Sequence, residues 1–247
     1  MSEVGELHTY IVARTRRGGG CDHVRLILAS VLVVWVAVSG SVGTTVPAHA
    51  VPGYCPPFCD GIPDSAWIAP DAVPLADVYR WPALAGLATS TPSPRFRFQE
   101  TCASPPVPAD PRDYAVAARA QVTQPAEQWQ LQVQVLHWRG DVWQSGQLAV
   151  AALQNALGAL RACAVTAPWN SPSITTDQPG RVAAVISTAG KRVLHEYLLA
   201  DARSGTLVDL AMWTSLPQAV EWRAVPDPVV FDAMANPLCT AYVGSCR

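Results

Sequence analysis

The chain has 247 residues, half of them hydrophobic and 15% charged, with a net charge of −2. That is enough for one domain with a substantial core and an appendage. It excludes the electrostatic case for binding nucleic acid or an anionic membrane surface, which needs a basic excess.

At the N-terminus, Arg14, Arg16, Arg17 and Arg25 precede a charge-free apolar run. Its heart, LILASVLVVWVAV over residues 26–38, suits a signal-peptide core and is short for a membrane span. Ala48-His49-Ala50 then supplies a cleavage site of the A-x-A type. Residues 1–50 are therefore expected to be a signal peptide, with the mature chain starting near Val51. The alternative is an uncleaved signal anchor using residues 26–46. In both cases the N-terminal segment engages the translocon and membrane, and the arginines held inside place the rest outside the cytoplasm.

Six cysteines follow the leader: Cys55, Cys59, Cys102, Cys163, Cys239 and Cys246. An even number in an oxidising compartment points to disulfides. Short loops favour Cys55–Cys59 and Cys239–Cys246, which leaves Cys102–Cys163. A bridge from the Cys55/Cys59 pair to Cys163 is the main rival.

Residues 51–112 are proline-rich, and proline fixes φ and lacks a backbone donor, so long helices and central strands are not expected there. Short helices are predicted over 74–79 and 82–88, and a short strand in RFRFQ, where Phe96 and Phe98 alternate with polar residues. Trp67, Tyr79 and Trp81 need cover. The segment reads as an extended, cysteine-stapled arm laid over a domain spanning 113–247.

From Tyr114 the pattern is regular. Tyr114, Val116, Ala118, Ala120 and Val122 alternate with smaller or polar residues, QPAE turns the chain, and a second strand returns from Trp129. In that strand Trp129, Leu131, Val133 and Val135 share one face, and Gln130, Gln132 and Gln134 the other. The first face is expected to be buried and the second to meet water or a polar partner. A helix is predicted over 145–163 with Ser145 as N-cap. Leu148, Ala152, Leu153, Ala156, Leu157, Leu160 and Cys163 fall on one broad side of it. The stretch PWNSPSITTDQPG reads as a loop. Strands follow at 181–187, 192–200 and 206–213, separated by TAGK and DARSG, and a short helix at 228–235. The order β-β-α-β-β-β gives an α+β fold: an antiparallel sheet of about five strands with one main helix packed on it.

Candidate chemistry is sparse. His137 and His195 are the histidines that remain after the leader, and both lie in predicted strands. His137, Asp141 and Ser145 can be drawn as a triad, but a helix cap explains Ser145 better, and no G-x-S-x-G elbow is present. Asp141, Asp177, Glu196, Asp209 and Asp232 stand singly, without metal-ligand spacing. No glycine-rich phosphate loop follows a strand. No catalytic residue, metal or cofactor is therefore expected. Tryptophans are plentiful, and most are expected to plug the core. Trp138, Trp143 and Trp169 lie at or near loops, and with Gln130, Gln132 and Gln134 they are the candidate lining of a groove for a sugar, lipid or peptide.

The arrangement of an A-x-A export signal, a tryptophan-rich strand, the helix ending LRAC at Cys163, three further strands and the late Cys239 and Cys246 resembles a known type. It is similar to the extracytoplasmic sensor-like domains of actinobacterial envelope proteins, such as the sensor domain of a mycobacterial receptor serine/threonine kinase and related lipoproteins. The likeness covers residues 114–213 and the two late cysteines. It implies a ligand-sensing, non-catalytic domain with a cleft. This chain departs from the type in having no kinase domain and no lipobox cysteine at the cleavage site. The expected function is an exported cell-envelope binding or interaction module for an unidentified envelope ligand or protein. A small extracytoplasmic hydrolase and a structural partner of a membrane complex are the alternatives.

Overall fold

The computed structural model describes residues 61–242 and Ser245, which fall in one compact unit. The expected signal segment, Cys55, Cys59 and Cys246 lie outside the described residues. Seven strands form one antiparallel sheet: β1 (Thr89–Ser90), β2 (Val116–Val122), β3 (Gln130–His137), β4 (Asn170–Gln178), β5 (Arg181–Thr188), β6 (Arg192–Asp201) and β7 (Thr206–Ser215). Their order across the sheet is β1-β2-β3-β7-β6-β5-β4. Among the described residues four α-helices accompany it: α1 (Ala76–Tyr79), α2 (Arg97–Thr101), the long α3 (Val142–Thr166) and α4 (Asp227–Ala241). The α+β class, the antiparallel sheet and the single main helix are those predicted.

The strand number is not five but seven. The two extra strands are the edges. β4 occupies the stretch expected to be a loop, and it is polar because only its β5 side is paired. Its Pro172 is tolerable there, since an edge need not offer every N–H. RFRFQ is helix rather than strand: the Gln99 side chain accepts from the Phe96 backbone N–H at 3.1 Å and starts α2. α3 begins three residues earlier than predicted because Asp141, not Ser145, is its cap, with Oδ1 accepting from the N–H of Trp143 at 3.0 Å and of Gln144 at 3.1 Å. Ser145 is buried inside the first turn and donates to the Val142 carbonyl at 3.2 Å. The tail helix runs on past Pro237 to Ala241.

Both sheet faces are covered. Trp129, Leu131, Val133 and Val135 of the β3 region join Tyr197, Val208, Leu210 and Met212 beneath the 61–88 arm and α4. The opposite face, with Leu136, Leu194, Leu198, Leu207 and Ala211, packs under α3 and α2. α3 buries the predicted side, including Leu153, Leu157, Leu160 and Cys163. By length and composition α3 would also pass as a membrane span. Its packing on the sheet identifies it as the core helix. A disulfide between Cys102 and Cys163, Cα atoms 4.8 Å apart, ties the end of α2 to α3. Cys239 is also disulfide-bonded.

The first turns of α3 lie hard against the β6–β7 turn. A Cβ on Gly146 would stand 2.2 Å from the Ala202 carbonyl oxygen, whereas one on Gly158, about three turns later, would meet nothing within 4 Å. Gly146→Ala is therefore expected to destabilise the fold by about 1–3 kcal/mol through overpacking. Gly158→Ala should stabilise it by roughly 0.5–1 kcal/mol through helix propensity. Urea denaturation of the two variants checks the opposite signs.

Candidate functional site

The glutamine face of β3 does not meet water. Gln132 and Gln134 are buried beneath α2. Register puts Gln134 opposite Arg119 of β2 and Asp209 of β7, and Gln132 opposite Ala211, which itself faces Glu196 of β6. One patch of sheet thus carries Arg119, Gln132, Gln134, Asp209 and Glu196. Gln134 binds on three sides: Nε2 donates to Asp209 Oδ2 at 2.8 Å and to the Arg95 carbonyl at 2.8 Å, and Oε1 accepts from Arg119 Nη2 at 3.1 Å. Arg119 Nη2 also reaches the Arg95 carbonyl at 3.2 Å. These bonds sew the chain entering α2 onto the sheet. Above them, the Arg97 guanidinium lies 4.4 Å from the Trp213 ring centroid and pairs with Glu100.

The two acids of the patch are almost fully enclosed, Glu196 at 1% exposure and Asp209 at 0%. Burial, with the Asp209 charge beside it, pushes the Glu196 carboxyl well above the usual carboxylate range. Burial also raises Asp209, against the lowering effect of the Gln134 hydrogen bond and the Arg119 charge. A strongly shifted acid pair is a recognised mark of a functional site, and also of a structural network.

A second place of interest is the N-terminal end of α3. Trp143 and Tyr114 are each 74% exposed and Val142 61%. Strand pairing of Val116 with His137, and the hydrogen bond from Trp138 Nε1 to the Pro111 carbonyl at 2.7 Å, bring the 111–114 turn to the same end of the sheet as Val142 and Trp143. A surface cleft of about 480 Å³ lies elsewhere, between Pro70 and Trp81, with its Asp77 engaged by Arg223.

The six residues expected to line one groove occupy separate places. Trp138 is buried. Trp143 and Trp169 are exposed, but Trp143 lies in the first turn of α3 and Trp169 just past its last residue, which at 1.5 Å per residue separates them by roughly 35 Å. Gln130 closes the β2–β3 hairpin, with Nε2 donating to the Gln124 carbonyl at 2.9 Å and Oε1 accepting from its N–H at 2.8 Å. Only Gln132 and Gln134 come together, as part of the buried patch.

The histidines are structural in their contacts. His137 Nδ1 sits 3.1 Å from Thr206 Oγ1 and its ring stacks on Tyr242. Burial and the Arg139 charge lower its pKa. His195 stacks on Trp222 at 3.8 Å, on the face opposite Glu196, and burial lowers its pKa to about 4. With Asp141 on the helix amides and Ser145 on Val142, the triad that can be drawn in the sequence is not assembled. Glu196 and Asp209 are the residues that the sequence reading passed over. Their signal was an acid inside each of two apolar strand runs, RVLHEYLLA and TLVDLAMW.

No known protein family, characterised protein or solved structure matches this chain.

Proposed function

We propose that the protein is an exported, non-catalytic binding or interaction module of the cell envelope, and that the α3 N-terminal end is its contact surface. The observation that carries this is the exposure of Trp143 and Val142 at the end of the sheet that also holds the exposed Tyr114. The fold has a covered sheet in which Trp67, Trp81, Trp129, Trp138 and Trp213 are all buried. A rigid aromatic left in water on such a body favours binding, because tryptophan and tyrosine supply large contact area at small entropic cost. The disulfide agrees with an oxidising compartment. The arrangement that resembles extracytoplasmic sensor-like domains supports the same reading.

The test is a fluorescence titration of the full chain with envelope oligosaccharides, short-chain lipids and peptides. Trp143→Ala should weaken the binding found by about tenfold or more, equivalent to roughly 1.4 kcal/mol. Its unfolding midpoint should not change. Equal affinity in that variant would move the surface elsewhere. Turnover of any of these compounds, lost when one polar residue is replaced, would overturn the non-catalytic reading.

A further inference from the structure

Five polar side-chain atoms under α2 make no hydrogen bond of ordinary geometry: Glu196 Oε1 and Oε2, Asp209 Oδ1, Gln132 Nε2 and Arg119 Nε. The Phe98 backbone of α2 and Asp209 approach Glu196, and Gln132 approaches Asp209, as looser contacts. Each would cost about 1–3 kcal/mol if left unpaired. Three acceptors and two donors in one buried patch are the complement of ordered water, which makes two to four hydrogen bonds in such sites. The carboxyls add a second condition. Two neighbouring buried carboxylates repel, and one proton between them removes the repulsion.

The surrounding charges do not remove the need for that proton. Arg119 approaches from β2 but spends its Nη2 on Gln134 and Arg95. Arg97 approaches from α2 but pairs with Glu100. Gln132 and Gln134 of β3 are neutral, and the charged side chain of α3, Arg161, is exposed and paired with Asp177. Arg97 acts on Glu196 and Arg119 on Asp209 only through space, each favouring the charged acid, and neither forms an ion pair with them among the described residues; burial outweighs both.

We propose that Glu196, Asp209, one shared proton and ordered water form a clasp under α2, shut while the pair holds its proton and loosened when the proton leaves. Opening would expose both acids to water, where they titrate in the ordinary carboxylate range. The closed form holds its proton more tightly, so opening releases a proton and becomes easier as pH rises. The opening equilibrium should rise by up to about tenfold per pH unit, from the ordinary carboxylate range upward, until the closed pair itself has ionised. The Cys102–Cys163 disulfide pins the far end of α2. Movement is therefore greatest at Arg95 and Phe96, where the bonds from Gln134 and Arg119 would part.

Amide hydrogen exchange of the full, oxidised chain tests this. The reporters are the amides of Gln99, bonded to the Phe96 carbonyl, and Cys102, bonded to the Phe98 carbonyl. In the wild type their protection factors should fall by up to about tenfold per unit between pH 5 and 7. They should stay level in Glu196→Gln and Asp209→Asn. Amides of β3 should not follow the same slope. A level wild-type profile, an unchanged slope in a folded variant, or a matching slope in β3 would each overturn the clasp. If one variant fails to fold, the wild-type slope and the other variant decide.

Discussion

Replacing both Cys102 and Cys163 by alanine is expected to lower the unfolding free energy by about 2–5 kcal/mol. The cross-link closes a loop with a sequence separation of 61, for which the chain-entropy estimate is about 4 kcal/mol. Location adds to that figure. Both cysteines are 0% exposed in the layer between α2, α3 and the sheet, so the alanines also leave unfilled space. The Thr166 hydroxyl donates to the Cys102 carbonyl at 2.6 Å, and Asn170 Nδ2 to the Thr101 carbonyl at 2.6 Å. These bonds keep α2 near α3 but cannot replace a covalent tie. Denaturant unfolding of the double variant checks this, and a loss under 1 kcal/mol would show that the loop is already ordered in the unfolded chain.

Trp129→Ala should cost about 3–5 kcal/mol, the range for deleting a large buried aromatic. Trp129 is 0% exposed, at the start of β3. Its Nε1 donates to the Val220 carbonyl at 2.8 Å, and its ring lies 4.9 Å from Trp222 and 5.6 Å from His195. The change would leave a cavity, strip Val220 of its donor and release the 216–226 segment that leads into α4. The contrast is Trp143→Ala, which should change stability by less than about 0.5 kcal/mol as an exposed position. If both cost the same in urea titrations, the division between core and surface tryptophans is wrong.

Periodicity made most of the frame legible. The 3.6-residue pattern of α3 and the alternation in β2, β3, β5, β6 and β7 arise from burial, and burial is what apolar spacing records. β4 escaped because an edge strand is held by backbone bonds on one side and needs few apolar residues; Ile174 is its one large aliphatic residue. α2 escaped because Phe96 and Phe98 are two apart, as in a strand, while a side-chain bond from Gln99 decided for a helix. The buried acids are a different case. Glu196 and Asp209 are thirteen residues apart in sequence, and only the hairpin that pairs Asp201 with Thr206 sets them diagonally on one face. The glutamines misled because alternating polarity normally marks a wet face, and here a second polar set on neighbouring strands gave them partners.

The sheet is also finished at both margins. β1 is two residues long, and β4 carries Pro172, a register shift between Ile174 and Thr176, and a Thr176 hydroxyl held by Asp227 at 2.6 Å. Among the described residues, β1 interrupts the β2 margin at Ala118 and Arg119, and the proline and the register shift interrupt β4, so neither margin is a long, flat, unbroken row of free amides. Strand addition between copies of this protein is thereby disfavoured, so side chains rather than backbone amides are the better candidates for any contact between them.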